Sequence, residues 1–283
     1  MCYFCPMSLF ISSLNSGSNG NCYYIGNDNE AVFVDAGISC RETERRMARL
    51  GLSMDKVKAI FVSHEHTDHI SGVPVLAKKY GLPVYITSRT LASSGMDLSK
   101  TDVYSFEAHK SVTVGGLSVT AFPKFHDASD PHSFVISFNG TNVGIFTDIG
   151  NNCNHVISHF KKCHAVFLET NYDEDMLANG PYPVHLKRRI SGGNGHLSNA
   201  QALELFLQHR PAFLRYLLLS HLSKDNNCPN LVTDLFQKNA GGTTVVVASR
   251  YVESAVYTVD RGDSPAVALP VIQRPPVQLQ LSF

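Results

Sequence analysis

The densest chemistry in this chain lies in Ser63-His64-Glu65-His66-Thr67-Asp68-His69. Three imidazoles and an aspartate follow the apolar run Ala59–Val62 directly. Imidazole and carboxylate together suit zinc, manganese or iron. His64 and His66, two residues apart, project to one side of an extended segment, while Asp68 and His69, further round a turn, face a second ion. Four such groups gathered behind a buried strand would be costly to desolvate unless a cation used them. The same device recurs along the chain. The run ending at Phe122 leads within four residues to His126, Val143–Phe146 leads through Thr147 to Asp148, and Leu217–Leu219 leads through Ser220 to His221. Ligands at strand ends are held more rigidly than ligands on free loops. His109, His155, His159, His164 and His209 lack this placement and read as surface or satisfied core residues.

Short apolar, β-branched runs supply the scaffold: Ala31–Val34, Ala59–Val62, Val84–Ile86, Leu117–Phe122, Ser133–Phe138, Val143–Phe146, Ala165–Leu168, Tyr216–Leu219 and Thr243–Val247. Each has strand length and polar or turn residues at its borders. The apolar stretch near Met7 to Leu14 reads as a first strand. Arg41–Leu50 is amphipathic, with Ser39 as N-cap and Gly51 just past its end. Ser198–His209 and Pro229–Asn239 read as helices too, opened by Ser198 and Pro229. Strands mixed with helices predict a layered α/β (α+β) domain. The consecutive strands from about Ser111 to Phe146 argue against a purely doubly wound sheet. Two packed sheets with helices outside accommodate both.

The chain has 283 residues, 43% hydrophobic and 17% charged, which excludes global disorder. Its 24 Lys+Arg balance 24 Asp+Glu, so it is no strongly basic nucleic-acid binder. No apolar run approaches the ~20 residues of a membrane helix. Seven scattered cysteines without C-x-x-C pairs, and an opening without signal-peptide character, predict a cytoplasmic protein. Residues 1–6 fit no pattern that follows, so Met7 is a candidate start. The expected domain runs over 7–268, and 269–283 form a proline-punctuated tail.

H-x-H-x-D-H followed by distant His, Asp and His resembles the metallo-β-lactamase superfamily. The resemblance covers about Met7 to Thr258 and implies a four-layer αβ/βα sandwich with two divalent metal ions, Zn2+ or Mn2+ with Fe possible. It assigns one ion to His64, His66 and His126. The other goes to Asp68, His69 and His221, and Asp148 bridges the pair. Finer segments resemble the YycJ-like (WalJ-like) nucleases: Ser16-Gly17-Ser18-Asn19-Gly20-Asn21, His126-Asp127-Ala128, Glu169-Thr170-Asn171-Tyr172-Asp173, Tyr182-Pro183, Lys187-Arg188-Arg189-Ile190, Gly195-His196-Leu197-Ser198-Asn199, and His221-Leu222-Ser223 with Asp225-Asn226-Asn227. That family is associated with 5′→3′ DNA exonuclease activity and, in some bacteria, with mismatch repair.

A metal pair of this kind supplies hydroxide near neutral pH and stabilises an in-line phosphoryl displacement. Asp68 is placed to orient the nucleophile, and His196 is the candidate proton donor to the leaving oxygen. Lys187 and Arg188 are expected to meet phosphate. Asn21 closes a turn whose backbone amides could form an anion nest, and Asn171, Ser198 and Asn227 are further expected substrate contacts. The final Gln278-Leu279-Gln280-Leu281-Ser282-Phe283 resembles the Q-L-x-L-x-F peptide that binds the bacterial sliding clamp, with Gln278, Leu279, Leu281 and Phe283 as contacts. The alternatives are a small-molecule hydrolase of thioesters, lactones or β-lactams, an RNA nuclease, and a non-catalytic DNA- or clamp-binding protein. The 72 residues between Asp148 and His221 are too few for the inserted domain of β-CASP RNA nucleases.

Overall fold

A computed structural model describes residues 8–261. Residues 1–6 and the tail with Gln278, Leu279, Leu281 and Phe283 lie outside the described residues. Two seven-stranded sheets form the centre. The first holds β1 (Leu9–Asn15), β2 (Cys22–Gly26), β3 (Ala31–Val34), β4 (Val57–Phe61), β5 (Val84–Tyr85) and β6 (Val103–Tyr104) in sequence order. The second holds β7 (Ser111–Val114), β8 (Leu117–Pro123), β9 (His132–Phe138), β10 (Thr141–Phe146), β11 (Ala165–Glu169), β12 (Tyr216–Ser220) and β13 (Thr244–Val247). The last described strand, β14 (Tyr257–Val259), returns to pair antiparallel with β1.

Side-chain alternation along the strands decides the layers. Val32 and Val34 of β3 face the space between the sheets, where they meet Ala165 and Phe167 of β11 and Tyr216 and Leu218 of β12. Their sequence neighbours point the other way. Ala31 and Phe33 join an outer core, as do Val166, Leu168, Leu217 and Leu219 on the opposite side. Both faces of each central strand are therefore apolar, which is why these runs read as near-continuous hydrophobic stretches.

Helices cover the outer faces. Met47 of α1 (Cys40–Arg49) lies over the first sheet. The short α2 (Thr67–Ile70) leads into α3 (Val73–Tyr80), whose Leu76 and Ala77 join the same core. Next comes α4 (Ser88–Ser94). Over the second sheet lie α5 (Asn154–Phe160), α8 (Asn199–His209) and α9 (Pro229–Gln237), and between α5 and α8 in the chain come α6 (Glu174–Asn179) and α7 (Val184–Ser191). Phe160, Phe206 and Phe236 of α5, α8 and α9 fill the core beneath them. The result is the expected four-layer αβ/βα sandwich. Burying each such large side chain stabilises the fold by about 1.5–3 kcal/mol.

The expected helix starts are present. Ser39 accepts a hydrogen bond from the Glu42 amide. Ser198 caps α8 in a full capping box with Gln201. Strand polarity then sets the site. β10 to β13 run parallel, and β8 runs with β10 because both pair antiparallel with β9. The C-terminal ends of β8, β10, β11 and β12 thus share one edge.

Candidate metal centre

The residues after β4, β8, β10 and β12 converge at that edge. His64 Nε2 lies 3.1 Å from His66 Nδ1, and His126 Nε2 lies 3.3 Å from the same atom. Beside this trio, Asp68 Oδ2 sits 3.5 Å from both His69 Nε2 and His221 Nε2. Asp148 stands between the two groups: Oδ2 is 3.0 Å from His69 Nε2, and Oδ1 is 3.8 Å from His126 Nε2. The structure thus brings together all seven residues expected as ligands. A cavity of about 400 Å³ opens over them, lined also by Arg189 and His196.

The ring nitrogens that face away from the cluster are engaged, and this fixes which nitrogen faces it. His64 Nδ1 meets Ser63 Oγ at 2.9 Å, and His126 Nδ1 donates to the Gly195 carbonyl at 3.0 Å. His69 Nδ1 is 2.7 Å from Asp35 Oδ2, and His221 Nδ1 is 3.0 Å from Glu169 Oε1. Glu169 Oε1 also lies 2.8 Å from His196 Nδ1, while Oε2 accepts from the Ile149 and Leu197 amides. Asp35 is held in turn by the amide and hydroxyl of Ser63.

Most of these polar groups are buried, while His66, Asp68 and His196 are half-buried toward the cavity. His221 Nε2 makes no hydrogen bond, and neither does Asp148 Oδ2 although His69 Nε2 stands 3.0 Å from it. Orphaned buried atoms are costly, and carboxylates and imidazoles gathered in this way are a donor set that fits a divalent cation. Burial pushes His64 well below the ordinary histidine range, and His126 down to about 4. Burial also opposes charge on His69, yet Asp148, Asp35 and Asp68 outweigh it and hold His69 at about 10. His221 is raised against burial by Asp148, Asp68 and Glu169. Such opposed shifts within one cavity mark functional clusters. A buried lysine, Lys124, donates to the Thr147 carbonyl at 2.8 Å and sets positive charge beneath the carboxylates.

Several expected substrate contacts are corrected. Asn21 is fully buried, and its amide nitrogen faces Asp68 Oδ2 at 3.1 Å and His69 Nε2 at 3.0 Å, so it positions the cluster from below. Asn171 donates to the His221 carbonyl at 2.8 Å. Asn227 is spent on Asn199 and on the Thr170 carbonyl. Ser198 is fully buried as a helix cap. None of these four has a free polar group facing the metal cavity. In the basic run, the Lys187 amine donates to the Ala178 carbonyl, and neither it nor Arg188 lines the cavity. Arg189 does, paired with Asp127 at 2.5 Å. Sequence reasoning missed Asp35 and gave Glu169, although quoted within a motif, no role of its own. Each directly follows or ends an apolar run, a signal of the same kind that marked the ligands.

A two-sheet sandwich with this cluster on its strand-end edge defines a metal-dependent hydrolase. The profile of the beta-lactamase superfamily domain matches residues 30–221. The chain is 35% identical over 228 residues to "Exodeoxyribonuclease YycJ" of Bacillus anthracis, covering 80% of this chain and 86% of that one. It is 32% identical over 225 residues to "Exodeoxyribonuclease WalJ" of Streptococcus pneumoniae serotype 2, covering 78% and 84%. Among solved structures, the metallo-beta-lactamase fold protein YhfI from Bacillus subtilis superposes with a TM-score of 0.68 at 17% identity, over 87% of this chain and 99% of that one. The chain therefore belongs to the metallo-β-lactamase superfamily, in the group that contains YycJ and WalJ. Among the described residues no helix is long and apolar enough to cross a membrane.

Proposed function

We propose that the protein is a metal-dependent exodeoxyribonuclease acting 5′→3′ on DNA, with a role in mismatch repair in the cytoplasm. The observation that carries the catalytic reading is the pair of ligand trios joined by Asp148 at one open cavity. His64, His66 and His126 would hold one divalent ion, and Asp68, His69 and His221 a second, with Asp148 between them. The ligand types admit Zn2+, Mn2+ or Fe. When bound, such ions supply Lewis-acid charge against phosphate oxygens and lower the pKa of water.

The protein's own groups do the rest. Asp68, with 20% of its side chain exposed, orients the attacking water through a carboxylate that Asn21 holds in place. His196 turns its Nε2 toward the leaving oxygen because Glu169 engages Nδ1. The names of the YycJ and WalJ relatives support DNA as the substrate, and a tail that binds the sliding clamp would bring the enzyme to replicating DNA.

End-labelled single- and double-stranded DNA, assayed across a metal series, tests the proposal. Manganese or zinc should support digestion from the 5′ end, and Asp68→Ala should abolish it with the fold intact. Turnover of a thioester or β-lactam, with no DNA cleavage under any metal, would refute it.

A further inference from the structure

A second cavity of about 280 Å³ adjoins the metal centre. Leu222, Val247 and Ala248, at the ends of β12 and β13, form its apolar floor, and Lys224, Arg250 and Tyr251 stand around it. The two cavities share a wall. Ser16 lines the second and accepts from the His221 amide at 2.8 Å. Ser18 lines the first, and its hydroxyl lies 3.1 Å from Arg250 Nη2. Arg250 therefore sits on the partition.

Its charge is unmet. Arg250 Nη1 is buried without a hydrogen-bond partner, and no carboxylate pairs with this guanidinium among the described residues. Lys224 makes no ion pair or hydrogen bond among the described residues, and it is exposed at the rim. The nearby acid, Asp225, accepts from the Tyr182 hydroxyl at 2.8 Å. A buried guanidinium N–H without an acceptor calls for an anion. Beside it, Tyr251 is 68% exposed, a large aromatic ring left in water at the edge of an apolar hollow. Anion, flat apolar body and single-unit size together describe one nucleotide.

We propose that this second cavity seats the nucleotide adjoining the scissile phosphate. Arg250 and Lys224 receive its phosphate, and Tyr251 stacks on its base above Leu222, Val247 and Ala248. The inference rests on the nuclease reading and names how that site grips its substrate. Asn227 also lines the hollow, but its side chain is committed to Asn199 and to main-chain carbonyls. Base contact by stacking alone tolerates any sequence.

The test is calorimetric binding of dAMP and of inorganic phosphate to the full-length, metal-loaded protein, with Arg250→Ala and Tyr251→Ala compared. Base–aromatic stacking of the usual strength predicts that Tyr251→Ala weakens dAMP about fivefold or more while phosphate affinity stays unchanged. Arg250→Ala should weaken both ligands. Wild-type protein binding dAMP no better than phosphate would overturn the proposal, as would dAMP affinity within twofold of wild type in Tyr251→Ala. That variant removes an exposed ring and keeps the test valid should Arg250→Ala disturb the Ser16–Gly20 turn. If the wild type cleaves no DNA yet dAMP binding falls in the variants, the nuclease reading fails and the nucleotide pocket stands.

Discussion

Replacing Glu169 by glutamine isolates the group beneath the metal centre. The carboxylate is fully buried and accepts four hydrogen bonds: His196 Nδ1 at 2.8 Å, His221 Nδ1 at 3.0 Å, the Ile149 amide at 2.7 Å and the Leu197 amide at 3.2 Å. Glutamine has the same shape but only one acceptor oxygen. If that oxygen stays with the two amides, the new NH2 faces two ring N–H groups. The rings then move their protons to Nε2, and His221 no longer offers a lone pair to the cluster. If the oxygen turns to the rings, two backbone donors lose their acceptor. Removing such an orienting partner weakens metal binding about 10- to 100-fold, which is about 1.4–2.8 kcal/mol. Chelator competition on purified Glu169→Gln measures this directly, and DNA cleavage should fall further than metal occupancy does, because His196 loses its backing as well. Unchanged metal affinity, within twofold of wild type, would refute the claim that Glu169 sets the tautomer of His221.

Three more outcomes follow from other parts of the chain. A Cβ on Gly37 would stand 1.6 Å from the Asp68 carbonyl oxygen and 2.7 Å from the Asn21 amide, so Gly37→Ala should displace the Asp68 turn, cost about 1–3 kcal/mol in urea unfolding and strip metal on dialysis. Glu42 is held down at about 2 by its hydrogen bond to Arg45 and, against burial, by Arg46. Its contribution, about 1 kcal/mol after solvent screening, is therefore present above the unfolded pKa near 4.5 and lost as pH falls toward 2. The melting-temperature gap between wild type and Glu42→Gln should be constant near neutrality and close on acidification. Deleting residues 278–283 should remove sliding-clamp binding in surface plasmon resonance and spare cleavage of short DNA.

The strands that carry the ligands were legible because each ends in apolar, mostly buried residues and a histidine or aspartate follows two to four residues later. Helices α1 and α8 were legible from their caps, Ser39 and Ser198. What escaped lacked such contrast. Helix α7 buries none of its residues fully and has only Leu186 and Ile190 as a short half-buried apolar pair, so the direction of Lys187, Arg188 and Arg189 could not be read. Strand β2, Cys-Tyr-Tyr-Ile-Gly, is fully buried but follows directly on the Gly-rich turn that drew attention instead. Asn21, Asn171 and Asn227 looked like substrate contacts because a polar side chain in a motif has two possible faces. Only burial shows that they brace the cluster from within. Asp35 and Glu169 follow their apolar runs directly, whereas the ligands stand two to four residues past theirs.

That placement also accounts for where the backbone is strained. Asp35, Asp148 and His221 all adopt positive φ, at 57°, 53° and 57°. A left-handed backbone costs a residue with a side chain about 1–2 kcal/mol, and glycine would avoid the cost. Glycine cannot serve here, since each position must deliver a ligand or hold one. The conformation persists because hydrogen bonds to neighbouring elements fix it, one within the first sheet and one across the sandwich. The Asp35 amide donates to the Phe61 carbonyl of β4, and the His221 amide donates to Ser16, just past β1 on the opposite sheet. The turn at His221 is thus tied to the first sheet although its strand belongs to the second. Strain of this kind survives only where the surroundings over-determine it. The metal centre is therefore a product of both sheets being assembled, and neither sheet alone contains the ligands for either trio with Asp148.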